Sequence, residues 1–209
     1  MVDQLSRASE SLILNLAEGA RLRSAPTKLR ALDYALGSSL ECAACLDIAR
    51  IKGLLSPPDS RHEKERLSEI VRMLIGLRKA WSTWRANDEP VPYRAEQVGG
   101  VSSPLFHHET LEVYVAALGL MNWLASIPAS NRCYWQIDEA ATSLILNIAE
   151  GNGRYSEVDH RRFLDIAEGS AVKMAAYFDL AVQKGVLGVK DCAPAKELID
   201  RIVAMLSGM

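Results

Sequence analysis

The chain repeats itself. Ser11-Leu-Ile-Leu-Asn15-Leu-Ala-Glu18-Gly19 returns as Ser143-Leu-Ile-Leu-Asn147-Ile-Ala-Glu150-Gly151, an offset of 132 residues. The same offset pairs Leu32-Asp33 with Leu164-Asp165, Gly37-Ser38 with Gly169-Ser170, Lys52-Gly53 with Lys184-Gly185 and Ile70-Val71 with Ile202-Val203. From Ser11 to Leu55 roughly half the aligned positions are identical, far above chance for unrelated segments. A duplicated chain must solve one folding problem twice, so every residue can be judged against its counterpart.

Each copy reads as helices. Residues 4–18 and 132–150 run apolar without strand-like alternation, and Gly19 and Gly151 are expected to end them as left-handed terminators. Ser24 and Ser156 then fit N-caps, with Pro26 tolerable in a first turn. The next helix is expected to reach Gly53 or Gly185, and a last one covers about 61–84 and 192–207, with Leu67, Ile70, Leu74 and Leu77 at core spacing. The second copy has one more element, Glu109 to Ile127, with Leu111, Val115, Leu118 and Trp123 on a helical period before Pro128. Its counterpart in the first copy would lie before Met1.

The expected fold is therefore all-α. Two up-down antiparallel helical bundle units are predicted: a three-helix unit over 1–85 that lacks helix 1, and a four-helix unit over 105–209. Between them, residues 86–104 hold Pro90, Pro92, Gly99, Gly100 and Pro104 and read as a linker. The missing helix predicts an apolar groove lined by residues such as Leu12, Leu16, Ile70 and Leu74, which self-association would fill most economically.

Composition agrees with helices, since 49% of residues are hydrophobic but only 6% aromatic. The most apolar stretch, Val113 to Pro128, is too short to cross a bilayer and carries Asn122 and Ser126, so no membrane association is expected. The N-terminus lacks the basic and apolar regions of a secretory signal, and four irregularly placed cysteines suggest no disulfide framework. A cytoplasmic location is the simplest reading. Charge is uneven: residues 1–85 hold 14 Lys/Arg against 10 Asp/Glu, whereas the remainder holds 10 against 16.

Catalytic patterns are wanting. Cys42-Ala-Ala-Cys45 could begin a zinc or redox site, but no second ligand pair completes it, and its counterparts Met174 and Tyr177 mark a core face. His62 and the pair His107-His108 lack partners at useful spacing and read as solvated. No phosphate loop, acid–base pair or nucleophile arrangement emerges, so no enzyme activity, metal or cofactor is expected. Asn15, Glu18, Gly19 and their counterparts Asn147, Glu150 and Gly151 read as a structural motif. The amides would fasten backbone near a helix end, and the glutamates would pair with an arginine such as Arg30 or Arg162. Gly37 and Gly169, inside helices, suggest close helix approach. Two basic clusters, Arg21, Arg23, Lys28 and Arg30 in one copy and Arg154, Arg161 and Arg162 in the other, are the candidate nucleic-acid-binding residues.

The second copy resembles a bacterial four-helix-bundle family first noted as proteins encoded in intervening sequences of 23S ribosomal RNA genes. That family includes the accessory variability proteins of diversity-generating retroelements. The resemblance rests on Leu111-Glu112-Val113-Tyr114, Asn147-Ile148-Ala149-Glu150-Gly151, Gly153-Arg154, Phe163-Leu164-Asp165-Ile166-Ala167 and Gly169-Ser170-Ala171. The first copy matches through Asn15 to Gly19, Leu32 and Gly37-Ser38. The resemblance implies a ring-like homo-oligomer, RNA or DNA binding through basic surfaces, and a reverse transcriptase as protein partner. The expected function is a non-catalytic oligomeric bundle that binds nucleic acid. The rival is a structural protein–protein interaction module.

Overall fold

The structure, a computed structural model, describes residues 2–83, 104–127 and 132–209. Every regular element among them is helical. The first repeat supplies α1 (Val2–Arg21), α2 (Ala25–Ile51) and α3 (Pro57–Thr83). The second supplies α4 (Glu112–Ala125), entered through a 3-10 turn at His107–Thr110, then α5 (Arg132–Asn152), α6 (Glu157–Gln183) and α7 (Val189–Ser207). The all-α fold is as predicted, with three helices in one repeat and four in the other. Apart from Pro104, the predicted linker lies outside the described residues.

Local chemistry sets the helix ends. The Ser24 and Ser156 hydroxyls accept from the amides of Thr27 and Asp159, capping α2 and α6. Gly53 and Gly185 have φ of 68° and 67°, the left-handed conformation in which a side chain is strained, and they turn the chain after α2 and α6. Gly19 and Gly151 depart from expectation. They lie inside α1 and α5 rather than terminating them. Absence of a side chain serves packing there: a Cβ on Gly19 would stand 3.1 Å from Trp81, and one on Gly151 3.0 Å from Phe163.

Each repeat is stitched by the same polar chain. The Asn15 amide donates to Ser11 O at 2.7 Å, and the Ser11 and Ser38 hydroxyls meet at 2.8 Å between α1 and α2. Asn147, Ser143 and Ser170 reproduce both contacts between α5 and α6 at the same distances. Both asparagines thus fasten the backbone one turn back in their own helix. Glu150 pairs with Arg154 instead of Arg30 or Arg162, and Glu18 is exposed.

One apolar cluster runs through both repeats. It joins Ala8 and Leu12 of α1, Cys45 and Ile48 of α2, Leu120 of α4, Leu144 and Ile148 of α5, Phe178 of α6 and Ile199 of α7. The centre is α2, which packs on α1 and α3 on one side and on α5 and α4 on the other. From Ala35 to Ile48 every residue of α2 but Glu41 is buried, the pattern of a helix surrounded by others. Each fully buried Ile or Leu there stabilises the fold by roughly 1.5–3 kcal/mol. A smaller cluster holds Leu32, Leu36 and Leu74 against Leu16 and Trp81. Leu12 and Leu74, expected to line an open groove, are instead buried.

Candidate nucleic-acid interface and the junction between the repeats

The seven basic residues separate into two groups. Arg21 and Arg23 are exposed where α1 hands over to α2, and no ion pair engages them among the described residues. Arg30, exposed one turn into α2, donates to the Tyr34 hydroxyl at 3.3 Å. Arg161 and Arg162 are exposed at the start of α6, Arg161 pairing with Asp165 at 3.0 Å. Lys28 and Arg154 point inward. Lys28 is buried with its ammonium 4.8 Å from the Trp81 ring centre. Arg154 is buried between Glu150, the Asp33 carbonyl and the rings of Tyr34 and Phe163. These two cations hold helices together and are no part of an exposed basic surface.

Arg154 also fixes where the second loop lies. Its guanidinium rests on Gly37, and a Cβ on Gly153 would stand 2.8 Å from Gly37 Cα. The loop after α5 therefore packs on the N-terminal half of α2, which places Arg161 and Arg162 at the same end of the molecule as Arg21, Arg23 and Arg30.

Farther along α2 lies a buried polar junction that joins the repeats. Asp47 of α2 accepts from Lys64 of α3 at 2.8 Å and from the Tyr114 hydroxyl of α4 at 3.0 Å. Lys64 also meets Glu109 at 2.5 Å, and Glu109 accepts from the Leu105 amide at 2.8 Å. Burial, then the neighbouring Asp47 charge, pushes the Tyr114 phenol well above its ordinary pKa. A second ion pair, Lys52 to Asp138 at 2.6 Å, ties α2 to α5. The duplication supplies a comparison: Lys196 and Asp179, the counterparts of Lys64 and Asp47, pair at 2.7 Å but are exposed.

His108 belongs to this junction, contrary to the solvated position expected for it. It is fully buried, stacked with Phe106 and edge-on to Tyr114 at 4.6 Å, and neither ring nitrogen has a partner among the described residues. Burial, then the Lys64 charge, lowers its pKa to about 3. His107 is exposed beside Asn152. Asp47, His108 and Glu109 place donor atoms within 4.8 Å of one another. The Lys64 ammonium already stands between the two carboxylates as their counter-ion, so the set serves as an ion-pair network. Cys42 and Cys45 are core residues, as their counterparts implied; burial raises both thiols to about 12 and keeps them protonated.

Sequence reasoning missed the junction. Asp47, Lys64, Glu109 and Tyr114 are scattered over 67 positions, and only the repeated Asp–Lys spacing of Asp47/Lys64 and Asp179/Lys196 could have signalled a conserved pair within the chain. No helix of the described residues is long and apolar enough to cross a membrane.

A family model described as 23S rRNA-intervening sequence protein matches residues 1–76 and 113–208, one stretch in each repeat. No curated protein and no solved structure matches.

Proposed function

The chain belongs to the 23S rRNA-intervening sequence protein family, and from that premise we propose a non-catalytic, self-associating helical protein that binds nucleic acid through the basic end of its first repeat. The observation that carries this reading is the trio Arg21, Arg23 and Arg30. All three are exposed around the α1–α2 turn, and no carboxylate pairs with them among the described residues. Unpaired guanidiniums suit phosphates, because binding releases counterions without first breaking an ion pair. Arg161 and Arg162 extend the same end, but Asp165 and Glu157 neighbour them. A reverse transcriptase is the protein partner suggested by the resemblance to accessory variability proteins.

Self-association follows from faces that the duplication leaves uncovered. Inside the chain, α2 of the first repeat receives α5 of the second. The second repeat carries the receiving face again, on α6, where it is bare: Leu180 is 47% exposed while its counterpart Ile48 is 0% exposed. Gly169, counterpart of the tightly packed Gly37, has nothing among the described residues within 4 Å of its Cβ position. The first repeat carries the inserting face again, on α1, where Ile13 is 62% exposed while Ile145 is 0% exposed. Charges agree as well. Glu41 of α2 and Glu150 of α5 repel one another, whereas their counterparts Lys173 and Glu18 are opposite. A head-to-tail contact of this kind leaves one face of each type free, so α6 of one chain suits α1 of the next.

The second reading is a protein-interaction module without nucleic-acid binding, which the same apolar faces favour. Titrating labelled single-stranded RNA at several salt concentrations separates the two. Three arginine–phosphate contacts predict a log–log slope near −2, about 0.7 per phosphate. Absence of binding at low salt would leave the interaction module.

A further inference from the structure

Between α1, α2 and α3 runs a groove of about 590 Å³, lined by Leu5, Ser9, Cys42, Leu46, Leu67 and Ile70. Adding the repeat offset converts these residues into Ile137, Ala141, Met174, Phe178, Ile199 and Ile202. All six are buried in the second repeat. What covers them is α4: Trp123 stands edge-on to Phe178 at 5.5 Å, and a Cβ on Gly119 would meet Leu198 at 3.9 Å. The groove of the first repeat is thus the α4 seat without an α4.

We propose that this groove docks an amphipathic helix of a partner protein, one with the inward apolar pattern of α4, larger side chains at its centre and a carboxylate on one flank. The walls specify each feature. Leu46 replaces Phe178 and Cys42 replaces Met174, which deepens the middle of the slot and suits an aromatic side chain there. Arg66 and Glu63 replace Leu198 and Ala195 on one wall, and Arg66 is exposed and paired with Glu63 at 3.4 Å. An acidic residue of the incoming helix at the position of Gly119 would face that guanidinium. Among the described residues every helix is already packed within the two repeats, so none is left over for the seat. Releasing α4 from its own repeat would open an equal groove, and residues 84–103 carry Pro90, Pro92, Gly99 and Gly100 and lack the apolar period of α4. Helix-in-groove docking reads such a surface through anchors at i, i+3, i+4 and i+7.

The test uses the full chain and a labelled peptide of residues 109–127, the α4 sequence, as probe. Saturable one-to-one binding is expected. Ser9→Phe, which plugs the groove, and Leu67→Arg should each weaken it about tenfold or more, a change of about 1.4 kcal/mol. Glu63→Ala with Arg66→Leu, which restores the walls of the second repeat, should tighten it. Leu180→Glu, outside the groove, should leave it unchanged, as should competition with RNA. Circular dichroism checks that each variant is folded. A probe that binds neither the parent chain nor the restored-wall variant overturns the proposal, as does binding indifferent to Ser9→Phe. Self-association of the chain that Ser9→Phe abolishes would put a second copy in the groove and equally overturn it.

Discussion

The Tyr114 hydroxyl donates to Asp47 Oδ2 at 3.0 Å from one repeat to the other, while Lys64 holds the second oxygen at 2.8 Å. Losing either donor leaves a buried carboxylate short of a partner. Tyr114→Phe should cost about 1–3 kcal/mol in denaturant unfolding. Lys64→Met, which strands the buried Asp47 and the half-buried Glu109, should cost about 3 kcal/mol or more. Lys196→Met makes the same change at the exposed counterpart pair and should be nearly silent. Equal effects of the two lysine substitutions would mean that the junction is not buried as described.

His108 predicts a pH dependence of its own. Its folded pKa, lowered to about 3 by burial and Lys64, lies below the ordinary value of 6.5. The unfolded chain therefore binds the proton first, and stability falls as pH drops from about 6.5 toward 3. His108→Leu should remove that part of the acid sensitivity, seen as a stability gap between variant and parent that changes only inside this window.

Glu41 works in the opposite sense. Burial, then the Glu150 charge, raises its carboxyl to about 7. The protonated form is favoured in the folded chain, so this contribution is complete below about 4.5 and is lost as pH rises through 7. Glu41→Gln should melt like the parent at pH 4 and higher than the parent at pH 8. Identical melting at both values would place Glu41 in water.

How much of this was legible in the sequence depended on whether the signal was local. Ser24 and Ser156 announce their caps, and Gly53 and Gly185 their left-handed turns, because the partners lie within one turn of chain. Gly19 and Gly151 carry the same local signature, yet tertiary packing on Trp81 and Phe163 decides their role. Arg154 and Arg162 look equivalent in a basic stretch; only the approach of α5 to α2 buries the first and leaves the second outside. His108 follows the same logic, since nothing in His107-His108 tells which ring the Tyr114 face will cover. The repeat exposes the difference. One sequence pattern in two surroundings separates what the helix needs from what its neighbours impose.

Two glycine substitutions distinguish a filled face from an open one. Gly153→Ala places a methyl 2.8 Å from the Gly37 backbone and should lower the melting temperature. Gly169→Ala meets nothing among the described residues within 4 Å and should stabilise the isolated chain by about 1 kcal/mol through helix propensity. Light scattering should show the same substitution weakening self-association, because it crowds the face offered to α1 of another chain. Unchanged association would remove α6 from the proposed contact.

The most direct measurement is RNA binding by two charge-reversed variants under identical low salt. Arg21→Glu with Arg23→Glu and Arg30→Glu should abolish binding while leaving helical content intact. Arg161→Glu with Arg162→Glu should weaken it less, since acidic neighbours already repel phosphate at that start of α6. Full binding by the first variant, or a greater loss in the second, would contradict the account.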